Sequence, residues 1–284
     1  MNSTISKYNK KYFASIDVAR TIGIFLVVLG HAFPDASLQG GIQNSVWRVV
    51  FNIIYSFHMP LFIFLSGFVS EKYSTDVQDC WNRTLKKFKR LMIPYFCWGI
   101  LYIPFRILLA RYASAEFHVT RLWRILIGEN PYSGLWFLYA LFMISFIFIW
   151  LVRSDKGLGI AFIISLLMLL VGKYVYIIEP IKWIFLYLFY YLLGVYFHKY
   201  YTLIYAKVIK PKYGVISGIL FASSFILNNQ FQTSMSGLIS IVTAITGIIV
   251  VCNISENLSE NVLLAQLGKY GMDIFIISGP ILVF

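Results

Sequence analysis

Apolar residues run along this chain in long blocks, separated by short polar and basic stretches. Nine blocks reach or approach the roughly 20 mostly apolar residues that a membrane-crossing helix needs. They cover 16–34, 46–70, 91–110, 134–152, 157–176, 181–198, 213–229, 236–253 and 262–284. The predicted fold class is therefore all-α, a polytopic transmembrane helix bundle, with residues 1–284 as one integral-membrane domain. The longest loops are 71–90 and 111–133, and no repeat or soluble domain separates the blocks. In the second loop Glu116, His118, Arg121, Trp123 and Arg124 suggest a short amphipathic surface helix.

Composition supports the membrane reading. AVILMFWYC supply 59% of the 284 residues and DEKR only 13%, and mean hydropathy is +0.75. A soluble domain of this size would leave too much apolar surface facing water, and disordered chains have the opposite composition. The 25 Phe and 20 Tyr suit helix packing and interfacial belts. The three cysteines form no CxxC and no even framework, which supports neither a disulfide scaffold nor a zinc site. The first block carries Asp17 and Arg20 at its mouth and lacks an A-x-A exit, so it reads as a retained helix, not a cleaved leader.

Net charge is +12, and most of it lies between the apolar blocks. With the N-terminus inside, 15 basic residues fall in inside segments, from Lys7, Lys10 and Lys11 through the 71–90 loop to Lys207, Lys210 and Lys212. Seven fall outside. That bias predicts a cytoplasmic N-terminus in the cell membrane, and it makes nucleic acid an unnecessary partner.

Titratable groups inside a span are costly and mark candidate sites. Arg20 and His31 are eleven residues apart. At about 100° per residue they share one helix face, roughly 16 Å apart along the axis. Asp17 stands three before Arg20 and can pair with it. The plainer alternative for this pair is a snorkelling Arg held by an acid at the cytoplasmic surface. His58 lies in the second block just before Pro60, which frees a backbone carbonyl one turn earlier. There the alternative is that His58 merely satisfies that carbonyl. Lys86, Lys87, Lys89 and Arg90 follow Arg83 at the mouth of the third block. They read either as positive-inside charge with anionic lipid or as a grip on nucleotide phosphate. Trp136 fits an aromatic belt, Ser66 and Gly67 a close helix contact, and His198 an interfacial position without chemistry. HExxH, Walker, GxGxxG and GxSxG signatures are absent, and no metal site is expected.

Together these residues resemble the membrane-bound acyltransferase-3 family, which includes bacterial O-acetyltransferases acting on surface polysaccharides, and within it the fucose 4-O-acetylase-like group. Arg20 and His31 match its Arg-(ten residues)-His motif, with Asp17 as the preceding acid. Phe57-His58-Met59-Pro60-Leu61-Phe62 through Ser66-Gly67-Phe68 match the second-helix signature. Lys87 to Tyr95 resemble the basic start of the third helix, Leu135-Trp136-Phe137-Leu138 match the fourth, and Leu267 to Phe275 resemble a late segment. The chain departs from the family at Gly134, where relatives often carry His, and at Ser278, where the late segment often ends in His. Family members usually have ten helices. With nine blocks here, and the last cut at Phe284 without a polar tail, the expectation is that the ninth helix ends the protein outside or that a C-terminal helix is missing.

The resemblance implies acyl transfer, with acetyl-CoA as donor substrate, no bound cofactor, and a glycan hydroxyl as acceptor. His31 is the implied base and His58 an orienting or relaying group. Arg20, Lys86, Lys87, Lys89 and Arg90 are implied to hold CoA phosphates, or Arg20 to stabilise developing negative charge. Asp17, Pro60 and Trp136 orient. The partners are acetyl-CoA, the glycan and the bilayer. Whether both substrates meet in one membrane cavity or an acyl-enzyme carries the group across stays open. The rival class is a transporter or flippase of a lipid-linked sugar using Arg20 and His31 as contacts, against which no inverted repeat is visible. A membrane sensor without turnover is the third.

Overall fold

In the computed structural model the described residues are 2–32, 45–70, 72–108, 119–130, 132–172, 174–230 and 236–282, and among them the chain is helical with no strand. The α-helices in chain order are α1 (Asn2–His31), α2 (Ser45–Phe68), α3 (Val77–Leu108), α4 (Trp136–Leu151), α5 (Asp155–Gly172), α6 (Glu179–Lys199), α7 (Ala206–Val208), α8 (Pro211–Gln230), α9 (Ser236–Asn257), α10 (Val262–Lys269) and α11 (Gly271–Leu282). Short 3₁₀ turns occupy Val119–Ile127 and Ser133–Leu135, and a π turn occupies Tyr201–Tyr205. Among the described residues, five helical stretches are long and apolar enough to cross a bilayer: Ala14–His31, Val46–Phe68, Asp155–Gly172, Glu179–Lys199 and Gly237–Asn257. The chain is a multi-pass membrane protein.

The chain divides into two compact units. The first comprises Met1–Val69 and Gly194–Phe275. Here α1, α2 and α9 pack on one another, α8 lies along α9, and α10 lies along α1. Glycines set the closest approaches. A Cβ at Gly194 would collide with the backbone of Phe64 and Phe68, and one at Gly247 would enter the Phe57 ring. Such small-residue contacts are how helices associate where lipid removes the hydrophobic drive between them. Hydrogen bonds join the same helices. Thr243 Oγ1 donates to Ser224 Oγ at 3.0 Å. Asn253 Nδ2 donates to the Ile209 and Lys210 carbonyls at 2.6 and 3.0 Å, which satisfies the turn before α8. His198, expected to be without chemistry, donates Nδ1–H to the Phe68 carbonyl at 2.6 Å and so closes the last turn of α2.

The second unit comprises Ser70–Leu193 and Ile276–Phe284, with α3 packed on α4. The expected loop over 71–90 ends at Asp76, and α3 begins at Val77. Asp76 caps it, accepting from Gln78 N at 3.3 Å and Asp79 N at 3.0 Å. A short polar side chain in that position satisfies otherwise orphan donors and fixes where the helix starts. The basic run is therefore helical. Trp150 Nε1 donates to Thr84 Oγ1 at 3.0 Å and ties α4 to α3. Arg153 Nη1 donates to the Ser74 and Thr75 carbonyls.

The expected short amphipathic helix in the 111–133 loop is present as a nine-residue 3₁₀ helix over Val119–Ile127, and the expected Glu116 and His118 lie outside the described residues. Tyr95 and Tyr139 hydroxyls donate to the Ile125 and Leu126 carbonyls at 2.8 and 3.2 Å. Gly128 closes the turn at φ +94°, a conformation that favours glycine, against Trp183 and Pro180. The ninth expected span is also divided. Asn261 caps α10 by accepting from Leu264 N at 3.1 Å, and the chain breaks at Tyr270 before α11. Gly268 and Gly271 flank the break, and glycine weakens a helix interior.

Candidate active site

Asp17, Arg20 and His31 lie on α1, and His58 and Pro60 on α2, all in the first unit. The uninterrupted α1 carries Arg20 and His31 on one face, as their spacing predicts. Arg20 Nη1 donates to Asp17 Oδ1 at 2.7 Å, with Arg20 half-buried and Asp17 buried. The structure adds a partner that hydropathy hides. Helix α10 docks against this turn with Gly268 on the Asp17 backbone, and Gly271, the first residue of α11, lies on Ile24. Thr21 Oγ1 donates to the Leu264 carbonyl at 2.6 Å. The Leu267 to Phe275 segment thus places a helix break beside the Arg20 turn.

At the other end of α1 the two histidines differ. His58 is only 4% exposed, and its Nδ1 lies 2.9 Å from the Ile54 carbonyl. A carbonyl only accepts, so Nδ1 carries the proton and Nε2 holds the lone pair of the neutral ring. Pro60 lacks the N–H that would reach Ser56, so the carbonyl it frees is that of Ser56. His58 does not bond it, and the reading of His58 as the satisfier of that carbonyl falls away. His31 is exposed and makes no hydrogen bond to any described residue. The Tyr55 ring contacts both imidazoles, edge-on to His58 at 4.7 Å and to His31 at 6.5 Å between centroids. Neither Tyr55 nor Gly30, against which it packs, stands out by charge. Tyr55 is legible only as a polar aromatic three residues before His58.

The remaining expected residues lie in the second unit, each described there by itself. Lys86, Lys89 and Arg90 are exposed on α3 and Lys87 is half-buried. Lys86, Lys89 and Arg90 are spaced i, i+3, i+4 and share one side of the helix, and Lys87 stands at its margin, three residues before Arg90. Arg83 is buried and donates to the Lys72 carbonyl at 2.7 Å, which commits it to the chain around the α3 start. Trp136 packs on Trp183 and Tyr187, with centroids 5.3 and 5.7 Å away. Beside it, the space a side chain at Gly134 would enter is bounded 2.9 Å away by the Tyr132 ring and hydroxyl. Burial pushes that hydroxyl's pKa up to about 12, so it remains a proton donor at neutral pH.

No curated protein and no solved structure matches the chain. A family model described as an acyltransferase domain matches residues 13–284. The chain belongs to that family, acyltransferase-3, and acyl transfer is the activity the family domain supports.

Proposed function

We propose that this membrane acyltransferase moves an acetyl group from cytoplasmic acyl-CoA to a hydroxyl of a cell-surface or lipid-linked glycan. The observation that carries the site assignment is the contrast between the two histidines. His31 is open, so a substrate hydroxyl can come within the hydrogen-bond reach that a general base requires. His58 is buried and held by the Ile54 carbonyl. His31 takes the acceptor hydroxyl proton as its oxygen attacks the thioester carbonyl. The C–O bond forms, the C–S bond breaks, and the proton passes to the departing CoA thiolate. His58 orients or relays.

Arg20 stands about 16 Å along the helix from His31, too far for its side chain to reach the reacting carbonyl. The separation suits the long pantetheine arm of CoA, with Arg20 toward the phosphates and the thioester toward His31. Of the two roles open to Arg20, phosphate binding is the one this spacing supports. Comparing glycan O-acetyl content in cells with and without the gene tests the function. A fall on deletion, restored by the gene, is expected, and unchanged acetylation contradicts it.

Lys86, Lys89 and Arg90 are proposed on their own exposed charge as phosphate-binding residues of the second unit, with Lys87 contributing less because it is half-buried. Neutralising the first three should raise the KM for acetyl-CoA, with each lost charge-assisted bond costing about 1–3 kcal/mol. Unchanged KM with poor insertion would assign them to topology and lipid alone.

The orientation places the α3 start and the α7–α8 turn in the cytoplasm. Cysteines at the exposed Thr75 and Lys210 positions, in a background lacking the exposed Cys97, should resist an impermeant maleimide in intact cells and label in lysed membranes. Labelling of both in intact cells would invert the map.

A further inference from the structure

Tyr55 is exposed on one side, and the rest of its ring lies against α1 and α2. Its ring stacks on Phe51 one turn earlier, 4.0 Å between centroids and 23° between planes. The nearest ring atom lies 3.1 Å from where a Cβ on Gly30 would stand, so the missing side chain at Gly30 admits the ring against α1. The same ring meets His58 edge-on, at 69° between planes, and faces His31 at 71°. His58 already has a backbone anchor. His31 has no hydrogen bond to a described residue, and the Tyr55 ring is its aromatic neighbour.

We propose that Tyr55 is a positioning residue, seated by Gly30 and Phe51, whose ring sets the orientation of the His31 and His58 imidazoles for acyl transfer. The inference rests on the reading of His31 as the base. It assigns the effect to the ring and not to the hydroxyl. Misplacing a reacting group by about 1 Å can cost on the order of 10²-fold in rate, so the consequence falls on turnover and not on donor binding.

The test uses full-length protein in native membranes with endogenous glycan, measuring [14C]acetyl transfer from acetyl-CoA per molecule of enzyme. Tyr55→Leu is expected to lower kcat roughly tenfold or more with the KM for acetyl-CoA unchanged. Tyr55→Phe, which keeps the ring, is expected to stay within about twofold of wild type. Gly30→Ala should lower kcat by pushing the ring away, and should add nothing once Tyr55→Leu has removed it, since residues acting through one contact are not additive. Non-additivity shows only that Gly30 acts through Tyr55; the kcat-against-KM split per molecule of accumulated enzyme is the readout that a merely structural role would not move. Tyr55→Met, which fills the helix contact without a ring, repeats the test if the Leu variant fails to accumulate.

Wild-type turnover in Tyr55→Leu or Tyr55→Met while His31→Gln is inactive overturns this inference and leaves the base in place. Tyr55→Phe as impaired as Tyr55→Leu also overturns it and points to the hydroxyl. An active His31→Gln overturns the base assignment itself.

Discussion

His31→Gln is expected to insert and accumulate like the wild type and to lose glycan acetylation by roughly 10²-fold or more, the low end of what general-base catalysis contributes. Gln keeps hydrogen-bonding ability but accepts no proton at neutral pH. A histidine whose role is structural tolerates that change. The open position of His31 sharpens the test, because among the described residues no hydrogen bond is lost when the imidazole goes. The same change at His58 should be milder for transfer, although Gln there must still satisfy the Ile54 carbonyl. Quantifying O-acetyl groups per molecule of accumulated protein reads both. Near-wild-type acetylation by His31→Gln would move the base to His58.

Gly268→Ala should be the most damaging small substitution. The new methyl would meet the carbonyl oxygen, carbonyl carbon and Cα of Asp17. Backbone inside a helix cannot step aside as a side-chain tip can. Overpacking typically costs about 1–3 kcal/mol, and here relief requires α10 to leave α1 and the Thr21 bond to Leu264 to break. Both lower thermal stability and lower acetyl transfer are expected, because the Arg20 turn loses its support. Gly218 and Gly237 have no heavy atom within 4 Å of an added Cβ. Their Ala variants are the controls and should be neutral or slightly stabilising, since Ala is the better helix former. A Gly268→Ala protein as stable as these would mean that α10 does not dock on α1.

The apolar blocks were legible where the bilayer alone dictates them. Helices α2, α4, α5, α6, α8 and α9 begin and end within a few residues of the blocks that predict them. The start of α3 lies outside its apolar block because its first turns are charged and hydropathy ignores them. The signal was present as Ser74-Thr75-Asp76, a cap written in polar residues. The break at Tyr270 was hidden because two short helices and one long one share the same hydropathy, and only the Gly268 and Gly271 pair marked it.

Of the site, the alignment of Arg20 with His31 and the Asp17 partner follow from helical periodicity. What periodicity cannot give is a neighbour from a distant part of the chain. Gly268 touches α1 from about 250 residues away in sequence, and nothing in the composition of either segment announces it. The bond from His58 to Ile54, in preference to the carbonyl that Pro60 frees, depends on a side-chain rotation that no residue pattern encodes. The basic run likewise separated only on the helix, where Arg83 turned inward and Lys86, Lys89 and Arg90 turned out.

The central claim is that acyl-CoA consumption and glycan acylation are one reaction run through His31. Its most direct test is purified full-length protein in lipid vesicles, given [14C]acetyl-CoA and glycan prepared from cells lacking the gene. Free CoA thiol and alkali-labile radiolabel on the glycan should then appear in equal amounts, only when the glycan is present, and fall together in His31→Gln. Release of no CoA by the wild-type protein, or equal release by wild type and His31→Gln, would contradict the account.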